Sequence, residues 1–222
     1  MRAEASHVAK LKKLIEETSY RHNTWQVFHD FVAMSAISIR NAVDLNERDK
    51  YEQQYLGIVQ RYDREEVDRF PIMLGHLINA LEEDMSDILG QLFSELELGN
   101  KWTGQFFTPD CVCRLMAKMI YGEDLKEKLK TQPYITVQEP AVGGGAMIIA
   151  LARELRDQGI NYQRKLHVTA IDIDLRAFHM AYLQFSLYHI PAVVIHGDTL
   201  RAEEYSRWYT PASIFNFPCW PT

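Results

Sequence analysis

Cysteine is scarce in this sequence: Cys111, Cys113 and Cys219 are the only three in 222 residues. The Cys-x-Cys pair has no further Cys or His at ligand spacing, and the eight histidines show no metal-binding spacing either. That pattern excludes a zinc finger or ribbon, so no metal site is expected and the cysteines read as reduced and structural. No apolar run is long enough to cross a bilayer. No hydrophobic signal core follows Met1-Arg2-Ala3-Glu4, so the expected location is cytoplasmic. Positive charge is also short: 24 Lys and Arg against 30 Asp and Glu give a net charge of −6. This excludes a chain-wide basic footprint for nucleic acid, although a local basic surface or a partner that brings the charge stays open. No internal repeat stands out.

What is present is ordinary for a globular chain: 47% hydrophobic and 24% charged residues, enough for one or two domains with a real core. The spacing divides it at the glycine- and turn-rich stretch 99–104. Residues 1–98 read as a helical N-terminal domain. Val8, Leu11, Leu14 and Ile15 recur on one helical face, and Trp25, Phe28, Phe31, Val32 and residues 34–37 mark a more buried helix. Tyr51, Tyr55, Ile58, Val59 and Tyr62 give a third segment. Pro71 suits the first turn of a helix through Leu74, Leu77, Ile78 and Leu81. Residues 87–93 form a short amphipathic piece.

Residues 99–222 alternate strand and helix, which predicts a parallel sheet. Strand candidates at 135–138, 167–171 and 192–195 end in Glu139, Asp172 and Asp198. After the first comes Pro140-Ala141-Val142-Gly143-Gly144-Gly145, a glycine turn that opens a helix carrying Met147, Leu151 and Leu155, with Gly159 as its C-cap. Glycine tolerates positive φ and lets backbone approach a ligand closely. Asp174 reads as the N-cap of a helix carrying Phe178, Ala181, Tyr182 and Phe185. A dinucleotide-binding oxidoreductase is disfavoured, because an acid at the end of the first strand repels a pyrophosphate. A cationic, phosphate-free cofactor fits better.

With Gln105-Phe106-Phe107-Thr108-Pro109 upstream, residues 85–222 resemble the adenine-N6 DNA methyltransferases typified by the modification subunit of type I restriction systems. The motif order of that family is met: Gln-Phe-Phe-Thr-Pro, Glu-Pro-Ala-x-Gly-x-Gly, an acid after strand two, Gly-Asp after strand three. The resemblance implies an α/β, Rossmann-like methyltransferase core with an incomplete parallel sheet, and S-adenosylmethionine as cofactor. It implies that Phe107, Thr108 and Pro109 cap the methionine part and that Glu139 sits by its ammonium. Gly143 and Gly145 would floor the turn, Asp172 would accept from the ribose hydroxyls, Ile173 would pack on the adenine, and Asp198 would accept from its exocyclic amine. Ionised carboxylates are acceptor-only, which suits these donors.

The family's catalytic motif is Asn/Asp-Pro-Pro-aromatic after strand four, where the polar side chain accepts from the target amine and the ring stacks on a flipped base. Here residues 212–220 read Ala-Ser-Ile-Phe-Asn-Phe-Pro-Cys-Trp. Asn216 and Pro218 fit as catalytic candidates, Phe217 replaces the first proline, and Cys219 stands where the aromatic belongs. Strands five to seven of the family fall beyond Thr222. The expected function is therefore adenine-N6 DNA methylation of restriction-modification type, by an enzyme or a fragment of one. DNA is the expected partner, reached alone or with a specificity subunit, and homo-oligomerisation stays open. The alternative is an inactive truncated relative that binds cofactor or a partner protein. Trp208, Tyr209 and Trp220 read as packing residues, and His196 receives no role.

Overall fold

A computed structural model describes residues 5–96, 108–121 and 124–216. Among these, six helices precede the sheet region: α1 (His7–Thr18), α2 (Thr24–Val43), α3 (Arg48–Val59), α4 (Arg64–Val67), α5 (Arg69–Glu83) and α6 (Ile88–Glu95). Then come α7 (Asp110–Tyr121), α8 (Asp124–Thr131), β1 (Ile135–Glu139), α9 (Ala146–Asp157), α10 (Tyr162–Lys165) and β2 (Leu166–Asp172). The described part closes with α11 (Leu175–Leu187), β3 (Ala192–Asp198), β4 (Glu203–Tyr209) and α12 (Pro211–Asn216). The proposed boundary at 99–104 lies outside the described residues.

Side-chain caps start several of these helices, and the third expected segment divides into α3 and α4 between Val59 and Arg64. Asn23 accepts from Trp25 N to cap α2. Asp63 and Glu66 form a reciprocal capping box on α4, which satisfies two orphan backbone donors. Helix α2 is buried on nearly every side, so its polar residues need internal partners. Asp30 accepts from the Tyr62 hydroxyl at 2.8 Å and from Arg61 at 3.1 Å. Buried Arg40 donates to Asn41, to Asp44 and to the Asn46 carbonyl.

The sheet has the order β1-β2-β3-β4. The first three strands are parallel, so Glu139, Asp172 and Asp198 come to one edge. Strand β4 is antiparallel to β3. It is mostly polar and exposed, and Trp208 is its fully buried anchor. The indole packs edge-on against Tyr51, Phe178 and Tyr182. Gly197 is required at the β3–β4 bulge, because a Cβ there would lie 2.4 Å from the Glu203 carbonyl oxygen.

The described residues that lead into the Asn-Phe-Pro motif are not a strand. Residues 211–216 are the helix α12 instead. Thr210 is the reason: its hydroxyl accepts from Ser213 N and Ala192 N and donates to the Ile190 carbonyl. Pro211 then occupies the first helical position, where its missing N–H costs nothing.

One hydrophobic core runs from Leu11 and Phe28 through Leu89 and Phe93 to Val168, Phe185 and Trp208. The first six helices and the sheet therefore bury their apolar faces against each other. Helix α11 is the shared layer, packed on both α2 and β3.

Candidate cofactor site at the carboxyl edge of the sheet

The glycine turn after β1 is held by neighbours rather than by its own sequence alone. Gly143 has φ 56° and Gly145 has φ 101°, both left-handed and suited to glycine. A Cβ on Gly145 would meet the Phe185 ring at 2.5 Å. Val142 N donates to the Ile171 carbonyl at 2.9 Å, and Gly143 N donates to Asp172 Oδ2 at 2.8 Å. The Thr199 hydroxyl donates to the Pro140 carbonyl at 2.8 Å. The ends of β2 and β3 thus both tie down the turn.

The three acids differ in their surroundings. Asp172 is half-buried, and its second oxygen accepts from Asp174 N at 2.9 Å. Burial raises its pKa, while the two backbone hydrogen bonds oppose the rise. Each carboxylate oxygen keeps a second lone pair for a ligand hydroxyl. Asp198 Oδ1 accepts from Leu200 N at 2.9 Å and Arg201 N at 3.2 Å, and Arg201 Nε lies 3.6 Å from Oδ2. Glu139 Oε1 accepts from Ala141 N at 3.3 Å.

Ile173, just past Asp172, is 61% exposed, an apolar side chain at the edge with room for a flat ring. His196, which received no role from the sequence, fixes this segment. Its Nε2 donates to the Ile173 carbonyl at 3.1 Å, and its ring meets Tyr205 edge-on. The signal for it was its place two residues before Asp198. Asp174 caps α11 as expected, accepting from Arg176 N.

Thr108 and Pro109 are exposed and lead into α7, where Val112 N and Cys113 N donate to the Pro109 carbonyl. Phe107 and Pro218 lie outside the described residues. The structure brings together Glu139, Gly143, Gly145, Asp172, Ile173 and Asp198. Asn216 is not among them. Because β4 runs antiparallel to β3, it returns the chain to the amino edge, with Tyr209 opposite Val193. Asn216 then sits exposed at the end of α12, donating from Nδ2 to the Gln163 carbonyl at 3.0 Å. In this arrangement it lies at the opposite edge of the sheet from the three acids.

Sequence reading also missed the support beneath the turn. Gln184, fully buried on α11, donates from Nε2 to the Gly144 carbonyl at 2.7 Å and to Asp87 Oδ1 at 2.8 Å. Its Oε1 accepts from Leu89 N at 3.1 Å. A polar side chain in an otherwise apolar helical run was the available signal.

A mostly parallel sheet with a glycine turn and acids on its carboxyl edge, covered by helices, defines a Rossmann-like α/β core. The N-6 DNA Methylase family model matches residues 81–218, more than half of the chain. The chain belongs to that family, whose cofactor is S-adenosylmethionine. No curated protein matches it. A crystal structure described as that of a class I S-adenosylmethionine-dependent methyltransferase from Listeria monocytogenes is similar over 87% of this chain and 54% of its own length. That likeness has a TM-score of 0.47 at 12% identity, and this chain spans about half the length of that protein.

Proposed function

We propose that this chain binds S-adenosylmethionine at the carboxyl edge of its sheet and serves adenine-N6 methylation of DNA in a restriction-modification setting. The observation that carries the reading is the convergence of Glu139, Asp172 and Asp198 on one edge, with the glycine turn bonded to Asp172. Acceptor-only groups and an exposed Ile173 suit a cofactor that offers hydroxyl, amine and adenine-ring surfaces and carries positive charge. When bound, the cofactor supplies an electrophilic sulfonium methyl. In this reading Asp172 orients the ribose, Ile173 packs on the adenine, and Asp198 accepts from its amine. Glu139, Thr108, Pro109 and Phe107 address the methionine end, and Gly143 and Gly145 let the backbone approach. The chain's contribution to rate is then positioning. DNA, reached with a specificity subunit that brings basic surface, is the partner this acidic chain calls for, and the cytoplasm is where it would meet it.

A second reading, cofactor binding without methylation by this chain alone, is favoured by one observation: Asn216 sits at the far edge. Calorimetric titration with S-adenosylmethionine tests the primary reading. Binding by the intact chain that is lost in Asp172→Ala supports it, and no binding by the intact chain sinks it. Transfer of labelled methyl groups to unmethylated DNA then separates the two. Activity lost in Asn216→Ala would bring Asn216 back as the acceptor, and binding without transfer leaves the second reading.

A further inference from the structure

Asp87 ends the loop before α6 and is 5% exposed. As an N-cap it needs one oxygen, and Oδ1 does that work, accepting from Gly90 N at 2.7 Å and from Gln184 Nε2 at 2.8 Å. Among the described residues no donor reaches Oδ2. Yet the carboxylate lines a cavity of about 300 Å³ between α6 and the start of α7, shared with Gly90, Thr108, Pro109 and Asp110. The glycine turn packs against the same carboxylate: a Cβ on Gly144 would lie 2.7 Å from both Asp87 oxygens.

The charges around this cavity do not neutralise Asp87. Asp110 is engaged by Arg114 at 2.5 Å, and Glu95 pairs with Lys12 at 3.8 Å. No described cation lies against Asp87 itself, and Asp110 acts on it as a like charge. A buried carboxylate without a counter-charge is costly, and the acids around it favour a cationic occupant. Thr108 and Pro109, which the cofactor reading assigns to the methionine end, line this cavity, and the Asp87 carboxylate packs against Gly144 of the turn.

We propose that Asp87 is a cofactor-binding residue whose free Oδ2 accepts a hydrogen bond from the ammonium of the amino-acid end of S-adenosylmethionine. The inference rests on the cofactor reading above. It deepens that reading by adding a carboxylate from the helical region to Glu139. A primary ammonium has three donors and can serve both. The Gln184 amide holds Asp87 and Gly144 in register, so the acid is fixed against the turn.

The test is calorimetry with S-adenosylhomocysteine and with its desamino analogue, which keeps the carboxylate and lacks only the ammonium. Two variants are used: Asp87→Asn, which keeps the shape, and Asp87→Ser, which keeps an N-cap acceptor. Thermal melts confirm that each folds. Loss of a charge-assisted hydrogen bond predicts about tenfold or more weaker binding of S-adenosylhomocysteine in both variants, with the desamino analogue unchanged. The wild-type chain gives a reading free of any variant: it should prefer S-adenosylhomocysteine over the desamino analogue by a similar factor. Equal weakening of both ligands in the variants, no weakening of either, or equal wild-type affinities overturns the proposal. A wild-type chain that binds neither S-adenosylmethionine nor either probe overturns the cofactor reading beneath it instead.

Discussion

Single side chains in this protein carry chemical constraints that tolerate little substitution. Gly145 combines φ 101° with an approach of 2.5 Å between its would-be Cβ and the Phe185 ring. Gly145→Ala should therefore destabilise the fold by about 2 kcal/mol or more through strain and overpacking, read as a lower urea midpoint. His29 shows a different constraint. Among the described residues its ring nitrogens have no hydrogen-bond partner, and the ring packs among Trp25, Phe28 and Phe93. Burial first, then the Arg176 charge, push its pKa down to about 4. The folded state thus binds fewer protons than the unfolded chain between roughly pH 6.5 and pH 4. Stability is fully present above pH 6.5 and falls as pH drops through that window, by up to about 3 kcal/mol. His29→Phe should flatten part of that slope in denaturation curves at pH 7.5 and pH 5. It should not remove all of it, since His179 is also buried and pushed down to about 3.

Among elements, legibility followed hydrophobic pattern. β1, β2 and β3 were readable because they are apolar runs ended by acids. Helix α9 was readable from Leu151 and Leu155 and from Gly159, whose φ of 77° closes it. Strand β4 was not readable. Its side chains are charged or exposed except near Trp208, so backbone pairing with β3 and one indole fix it, not alternation. Trp208→Ala should cost about 3–5 kcal/mol. It should also raise amide exchange across 203–216 more than across β1, because α12 has its footing on the end of β4. The Thr210-Pro211 cap signal for α12 was in the sequence, but the resemblance of 212–220 to the catalytic motif outweighed it.

At the scale of the molecule the helical region and the sheet are bonded as well as packed. The Tyr188 hydroxyl accepts from Ser86 N at 3.1 Å and donates toward the carbonyls of Asp84 and Ser86. Gln184 joins Leu89, Asp87 and Gly144. Gln184→Met keeps the volume but strands the buried Leu89 N–H and Gly144 carbonyl, each costing about 1–3 kcal/mol when unpaired, and takes one of two donors from Asp87 Oδ1. The variant should lose stability as a whole, with far- and near-ultraviolet circular dichroism still melting together, because a shared core couples the two regions. Two separated transitions in the wild type would contradict that.

The sequence by itself determined the first three strands and the helices between them, the acids at the three strand ends and the glycine turn, because these depend on neighbours a few residues apart. It also carried the motifs that place the chain among the N-6 DNA methylases. Tertiary structure decided what those motifs face. The antiparallel return of β4 took Asn216 to the opposite edge, and α6 brought Asp87 against a turn far along the chain. Both outcomes depend on pairing and packing between distant segments, which local propensity does not encode.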